Sequence, residues 1–127
     1  MPPARRILSF AAVGIAVAAV YVLLYLGFLR AGISQALANA AAFSLAIAVQ
    51  YAGQARITFQ RNLSDPAQVV RFGIMVAAGY ATSAILTGWV APLFHLPPWV
   101  AALSVTVILP VQNFVLMSLW VFSEPAA

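Results

Sequence analysis

The sequence predicts an all-α membrane protein with four transmembrane helices, arranged as two parallel-repeat helix pairs with both termini on the cytoplasmic side. Three observations support this prediction. Of the 127 residues 65% are hydrophobic and only 6% are charged, with a mean hydropathy of +1.02, which excludes a soluble domain with a charged surface. Four apolar stretches are long enough to cross a bilayer. The second half of the chain also repeats the apolar pattern of the first.

Each predicted span contains the roughly 20 apolar residues that a hydrocarbon core about 30 Å thick requires. The spans cover residues 7–29, 34–55, 67–91 and 99–122, and we expect them to form a single four-helix transmembrane domain over residues 1–127. The first apolar run is longer than the roughly 7–15 residues of a signal peptide, so we expect a retained helix.

Residues with strong capping preferences separate these spans. Gly32 and Ser34 predict a helix end followed by an N-cap, which gives a tight hairpin between the first two helices. Asp65 and Pro66 predict a capped start for the third span, with proline in its first turn. Two adjacent prolines, the second of them Pro98, interrupt the chain before the fourth span.

The six arginines predict the orientation. Five of them precede the first span or flank the connection between the second and third: Arg5, Arg6, Arg56, Arg61 and Arg71. Arg30 alone lies between the first and second spans. Because positive residues favour the cytoplasmic side, both termini and the middle loop are expected there.

Each half of the chain closes on a similar ten-residue segment, 50–59 in the first half and 113–122 in the second. Both segments begin with an amide residue, have an aromatic residue second and end in phenylalanine. With both termini on one side, the two helix pairs run in the same direction, and the repeat is parallel rather than inverted.

Small residues at four-residue spacing predict where the helices approach each other, since backbones pack closely in membranes where side chains are short. The second span carries Ala36, Ala40, Ser44, Ala48 and Ala52. The third carries Gly79, Ser83, Thr87 and Ala91. We expect both series to face neighbouring helices.

Uncharged amides inside the spans are the candidate polar path. They are Asn39, Gln50 and Gln54 in the second span, and Gln112 and Asn113 in the fourth. An amide in hydrocarbon needs a partner, so two interpretations stay open. The amides either hydrogen-bond one helix to another, or they line a route for a polar substrate.

Several classes of function are disfavoured by what the sequence lacks. No charged residue lies near the middle of a span, which argues against proton-coupled or cation-coupled pumping. The chain has no cysteine, and its one histidine, His95, lies in an outer loop without an apparent catalytic partner. We therefore expect no enzyme activity, no metal or other cofactor, and no nucleic-acid partner.

The cytoplasmic arginines admit two interpretations. They set the topology and attract anionic lipid in general, at about 1 kcal/mol per residue near the surface. Alternatively Arg56, Arg61 and Arg71 hold the phosphate of a specific lipid, because a guanidinium offers paired donors to phosphate.

The whole chain resembles the GtrA-like membrane proteins, which end their second span in a motif similar to Asn-Phe-x-x-Asn-Arg-x-Trp-Thr-Phe. The residues that fall on this motif are Gln50, Tyr51, Gln54, Thr58 and Phe59. Ala55 replaces the arginine of the motif, with Arg56 one place along, and Ile57 replaces the tryptophan. A weaker second copy consists of Asn113, Phe114, Trp120 and Phe122.

The resemblance implies a multi-pass protein of the bacterial inner membrane that takes part in cell-surface polysaccharide synthesis. Such a protein would translocate or present a polyprenyl-phosphate-linked sugar, beside a membrane glycosyltransferase. Four helices make a thin wall, so we expect a homo-oligomer, most simply a dimer. The alternatives are a non-transporting anchor for the glycosyltransferase and, less favoured for want of a carboxylate in the first span, a small multidrug exporter.

Overall fold

A computed structural model of the chain, which describes residues 2–123, is helical throughout apart from short connections. Its four long helices are α1 (Pro3–Arg30), α2 (Gln35–Thr58), α3 (Pro66–Leu93) and α4 (Pro98–Val121). Each is long and apolar enough to cross a membrane, which confirms the prediction of an all-helical chain with four candidate spans. The parallel repeat and the cytoplasmic placement of both termini stay predictions.

The helix boundaries follow the local signals in the sequence. After α1, Gly32 has a φ of +88°, a left-handed conformation that glycine adopts without a steric penalty. Ser34 caps α2, its hydroxyl accepting from the Leu37 N–H at 3.4 Å. Asp65 caps α3 in the same way, accepting from the Ala67 N–H at 3.0 Å, and Pro98 occupies the first turn of α4.

Three of the four helices contain a π-helical segment, in which the backbone hydrogen bonds skip one residue more than in an α-helix. α2 ends in one over Gln54–Thr58, and α4 ends in one over Met117–Val121. The third lies within α3 over Leu86–Val90 and is followed by a final α-helical turn, Ala91–Leu93. Periodicity did not predict these segments, because these spans are apolar on most faces and the rotation that one extra residue causes leaves no visible break in the pattern.

The chain forms two compact units, Met1–Leu63 with α1 and α2, and Ser64–Ala127 with α3 and α4. We call them the N-terminal unit and the C-terminal unit. In the C-terminal unit the buried side chains of α3 include Phe72 and Met75, and those of α4 include Met117 and Val121. The third-span series of small residues is partly buried there: Gly79 and Ala91 are buried, Ser83 is half-buried and Thr87 is exposed.

In the N-terminal unit α1 and α2 pack antiparallel, and α2 presents Ala38, Ala42 and Ala46 as its buried small residues. The series of small residues predicted to face a neighbouring helix is not the buried one. Ala36, Ala40, Ser44 and Ala48 are exposed, and Ala52 is half-buried. Two positions along an α-helix correspond to a rotation of about 200°, so the two alanine series lie on opposite faces. Both have the same four-residue spacing, and spacing alone does not choose between them.

α1 packs directly against Gly53 of α2. A Cβ atom placed there would lie 2.9 Å from Cγ1 of Val13, well inside van der Waals contact. A valine side chain in a helix has one strongly preferred rotamer, so it cannot turn aside without strain. Gly53 is therefore required for the packing of this helix pair.

We predict that Gly53→Ala lowers the stability of the protein. Overpacking costs about 1–3 kcal/mol, which exceeds the roughly 0.5–1 kcal/mol that alanine normally gains over glycine in a helix. Thermal unfolding of the purified protein in mild detergent measures the difference. Gly14→Ala is the matched control, because no atom lies within 4 Å of its added Cβ. A Gly53→Ala variant as stable as Gly14→Ala would contradict the packing that the structure shows.

Candidate functional site

The two ten-residue segments end in the same backbone structure. The π-helical segments Gln54–Thr58 and Met117–Val121 occupy corresponding positions in the two segments. Each is closed by the phenylalanine that follows it. The Phe59 N–H donates to the Gln54 carbonyl at 2.9 Å, and the Phe122 N–H donates to the Met117 carbonyl at 2.9 Å. The similarity in sequence thus corresponds to a similarity in local structure.

A buried polar network joins α1 to the end of α2. Gln54 is fully buried, and its Nε2 donates to the carbonyl of Phe10 at 3.2 Å. The Thr58 hydroxyl, also fully buried, donates to Oε1 of Gln54 at 2.6 Å. The hydroxyls of Ser9 and Thr58 lie 3.0 Å apart. Since Thr58 has given its one proton to Gln54, Ser9 is the donor in that pair.

The corresponding positions of the C-terminal unit are apolar. Met117 and Val121 replace Gln54 and Thr58, and both are almost completely buried. Here a hydrogen bond between the side chains of the two helices lies further from the end of α4, where the Thr82 hydroxyl donates to Oε1 of Gln112 at 3.0 Å. In each unit a glutamine thus bonds one helix to the other, at a different depth.

Asn39 lies towards the opposite end of the N-terminal unit. The hydroxyl of Tyr21 on α1 donates to its Oδ1. The Tyr21 ring stacks on Tyr25 at 6.1 Å between centroids and meets the edge of Phe43 at 6.3 Å. Asn39, Gln54 and Gln112 therefore all bond one helix to another, which is the first of the two interpretations of the amides.

Gln50 and Asn113, the remaining amides, are the first residues of the two ten-residue segments. Both are half-buried. Oδ1 of Asn113 is shielded from solvent and has no hydrogen-bond partner among the described residues, and the same is true of the Ser118 hydroxyl. Of the five residues of the predicted polar path, Gln50 and Asn113 are therefore the two that are not used to bond one helix to another and could contact a substrate.

The three arginines predicted to bind phosphate have different surroundings. Arg56 is exposed at the end of α2. Arg61 is half-buried in the following connection, where its backbone N–H donates to the Ala55 carbonyl at 2.7 Å. Arg71 is half-buried on α3. Its Nη1 donates to the Trp120 carbonyl at 3.1 Å, and its guanidinium carbon lies 5.8 Å from the centre of the Trp120 ring.

A fourth arginine, Arg6, belongs with these residues, although the sequence favoured a role in topology and in general attraction of anionic lipid for it. Its guanidinium carbon lies 5.4 Å from the centre of the Phe59 ring, the last residue of the first segment. Its Nε atom is buried and has no hydrogen-bond partner among residues 2–123. The sequence contained a signal for this contact. Arg6 stands at the start of the first span, and the second span, its antiparallel neighbour, ends in a segment with aromatic residues.

We predict that the hydrogen-bonded pair Gln54 and Thr58 can be replaced by the apolar pair found at the corresponding positions of the C-terminal unit. Thr58→Val should destabilise the protein by about 1–3 kcal/mol, because Oε1 of Gln54 then stays buried without a donor. The double substitution Gln54→Met and Thr58→Val copies Met117 and Val121, and it should cost less than the sum of the two single substitutions.

Thermal unfolding in mild detergent tests this prediction. Thr106→Val is the control, because the exposed Thr106 hydroxyl donates only to the Ala102 carbonyl of its own helix, at 2.8 Å. If the two single effects simply add in the double variant, the two side chains are not coupled.

Comparison with known proteins identifies the family. The model of the GtrA/DPMS transmembrane domain matches residues 9–122, which is nearly the whole chain. No protein with a curated description matches the chain, and no solved structure matches it. With its four candidate spans the match supports a multi-pass membrane protein, and it suggests involvement in the handling of polyprenyl-phosphate sugars. The chain belongs to the GtrA/DPMS transmembrane-domain family.

Proposed function

We propose that this protein translocates or presents a polyprenyl-phosphate-linked sugar across the bacterial inner membrane during cell-surface polysaccharide synthesis. It does so without being an enzyme and without a cofactor. The observation that carries the proposal is the guanidinium of Arg71, held at the end of α4 by Trp120. The family match over residues 9–122 supports the choice of a polyprenyl-phosphate lipid.

Arg71 is suited to an anionic headgroup because its geometry is fixed and no carboxylate among residues 2–123 pairs with it. The Trp120 ring and carbonyl hold the guanidinium and use one of its five N–H donors. Among residues 2–123 the only acidic side chain is Asp65, which caps α3 by accepting from Ala67. The remaining donors of Arg71 are available to phosphate, which guanidinium recognises with paired hydrogen bonds.

Such a lipid does not require a sealed pore. Its polyprenyl tail stays in hydrocarbon while the phosphate and sugar cross, so the protein has to lower the cost of desolvating the headgroup only. Gln50 and Asn113 are the amides that the bonds between helices leave for this purpose. Because two helix pairs enclose little volume, we propose that the protein acts as a homo-oligomer beside a membrane glycosyltransferase.

A non-transporting anchor for that glycosyltransferase is the second candidate function. Two observations favour it. Three of the five candidate path residues, Asn39, Gln54 and Gln112, hydrogen-bond one helix to another. In addition, α2 exposes a face of small residues, including Ala40 and Ser44, which a second transmembrane protein can approach closely.

We predict that Arg71→Ala reduces delivery of the lipid-linked sugar while the protein still inserts into membranes. The loss of a charged hydrogen bond of about 1.5–3 kcal/mol corresponds to roughly a tenfold to hundredfold weaker interaction with the headgroup. The measurement is translocation of a labelled polyprenyl-phosphate sugar by the purified protein in vesicles. Arg56→Ala tests the exposed arginine in the same assay.

Arg30→Ala is the control, since it removes one positive charge from the other end of the helix pair, where Arg30 is exposed. Equal delivery by Arg71→Ala and Arg30→Ala would remove Arg71 from the proposal. Vesicles with the unmodified protein that translocate nothing, together with co-purification of a glycosyltransferase, would select the anchor.

A further inference from the structure

We propose that the N-terminal unit contains a second phosphate site, formed by Arg6 and the Phe59 ring, which binds the headgroup of a phosphate-bearing lipid. The proposal does not require transport, and it applies equally to an anchor. It rests on the unpaired donor of Arg6, on the absence of a neutralising carboxylate among residues 2–123, on the comparable pair of Arg71 and Trp120, and on the apolar side chains around Arg6.

The first observation is that the Nε–H of the Arg6 guanidinium has no hydrogen-bond partner among the described residues. The guanidinium lies 5.4 Å above the Phe59 ring, so one face is covered by an aromatic surface that attracts cations. Its Nε–H is buried without an acceptor in the described part of the chain. A buried donor without a partner costs about 1–3 kcal/mol, and more where the group is charged. A bound anion supplies the missing acceptor.

The second observation is charge. The chain carries six basic and two acidic residues, a formal net charge of +4. Within residues 2–123 no carboxylate pairs with Arg6, and the only one present, Asp65, caps α3 by accepting from the Ala67 N–H. A half-buried arginine that no protein carboxylate neutralises favours an anionic ligand, and the planar guanidinium favours a phosphate oxygen pair.

The third observation is that the C-terminal unit has a comparable pair. Arg71 lies on the first helix of its unit and contacts Trp120 in the closing segment of the second, as Arg6 contacts Phe59. The two pairs are not at equivalent positions, because Arg71 lies two residues further along its helix, a rotation of about 200°. The feature that both units share is an arginine of the first helix over an aromatic ring near the end of the second.

The surroundings of Arg6 indicate that the phosphate arrives on a lipid. Ile7 and Leu8 follow it on α1 and are 53% and 70% exposed, and Ile57 beside Phe59 is 58% exposed. Exposed apolar side chains next to a guanidinium place it where hydrocarbon meets headgroups. A lipid can contact both surfaces at once, whereas free phosphate contacts only the cation.

The experiment counts lipids bound to the full-length protein. The protein is purified in a neutral detergent, titrated with dioleoyl phosphatidic acid, and examined by native mass spectrometry, with dioleoyl phosphatidylcholine and inorganic phosphate as separate probes. We expect two tightly bound phosphatidic acid molecules on the unmodified chain. Arg6→Ala and Arg71→Ala should each lose one, through an affinity lower by roughly tenfold or more.

The matched control is Arg5→Ala, which removes the same charge from the neighbouring exposed residue and should keep both lipids. Arg6→Lys keeps the positive charge on a flexible side chain that is one atom shorter, and it should bind more weakly than arginine because it lacks paired donors. This variant keeps the test valid if Arg6→Ala does not fold. Equal loss from Arg5→Ala and Arg6→Ala would overturn the site in favour of general charge attraction.

The other two probes separate the sources of phosphate. If inorganic phosphate displaces phosphatidic acid from Arg6 at equal concentration, the ligand is not a lipid. If phosphatidylcholine binds as tightly as phosphatidic acid, an exposed phosphate is not what the site recognises. The result is also independent of the transport assay, because the proposed function can fail while both lipids stay bound.

Discussion

The buried hydrogen bonds of Gln54 determine how the N-terminal helix pair is held together. Inside a membrane there is no hydrophobic drive between helices, so association depends on close packing and on polar groups that need partners. Gly53 allows the helices to approach, and Gln54, the next residue, spans the gap to the Phe10 carbonyl. The π-helical segment that begins at Gln54 then brings Thr58 onto the same buried face.

The C-terminal unit has a similar backbone but different buried side chains. Comparing the two units therefore shows which features they share and which they do not. The terminal π-helical segment and the closing phenylalanine are the same in both units. The buried side chains within that segment are polar in one unit and apolar in the other, Gln54 against Met117. An arginine over an aromatic ring accompanies both. The arginine pair is therefore not a consequence of the polar network.

Local signals predicted the spans and their caps well, because Ser34, Asp65 and the prolines act on the few residues around them. The predicted packing face of α2 was wrong because two alanine series on this helix have the same four-residue spacing. A better indicator was present, since Ala38, Ala42, Ala46, Gln50 and Gln54 form a single four-residue series that continues to the buried Thr58. For Arg6 the sequence favoured topology and general attraction of anionic lipid over a specific phosphate site, because the rule for orientation counts arginines and gives no information about the ring that each one contacts.

The positions of the amides and arginines also constrain how a headgroup can move. Near their ends both helix pairs are closed internally, by Gln54 and Thr58 in one unit and by Met117 and Val121 in the other. A hydrated sugar does not pass through either closed pair, since it would have to break buried hydrogen bonds or enter an apolar core. If the protein translocates lipid, the headgroup moves along surfaces outside the helix pairs. In each unit the arginine over an aromatic ring, Arg6 or Arg71, would then be the group that meets the phosphate.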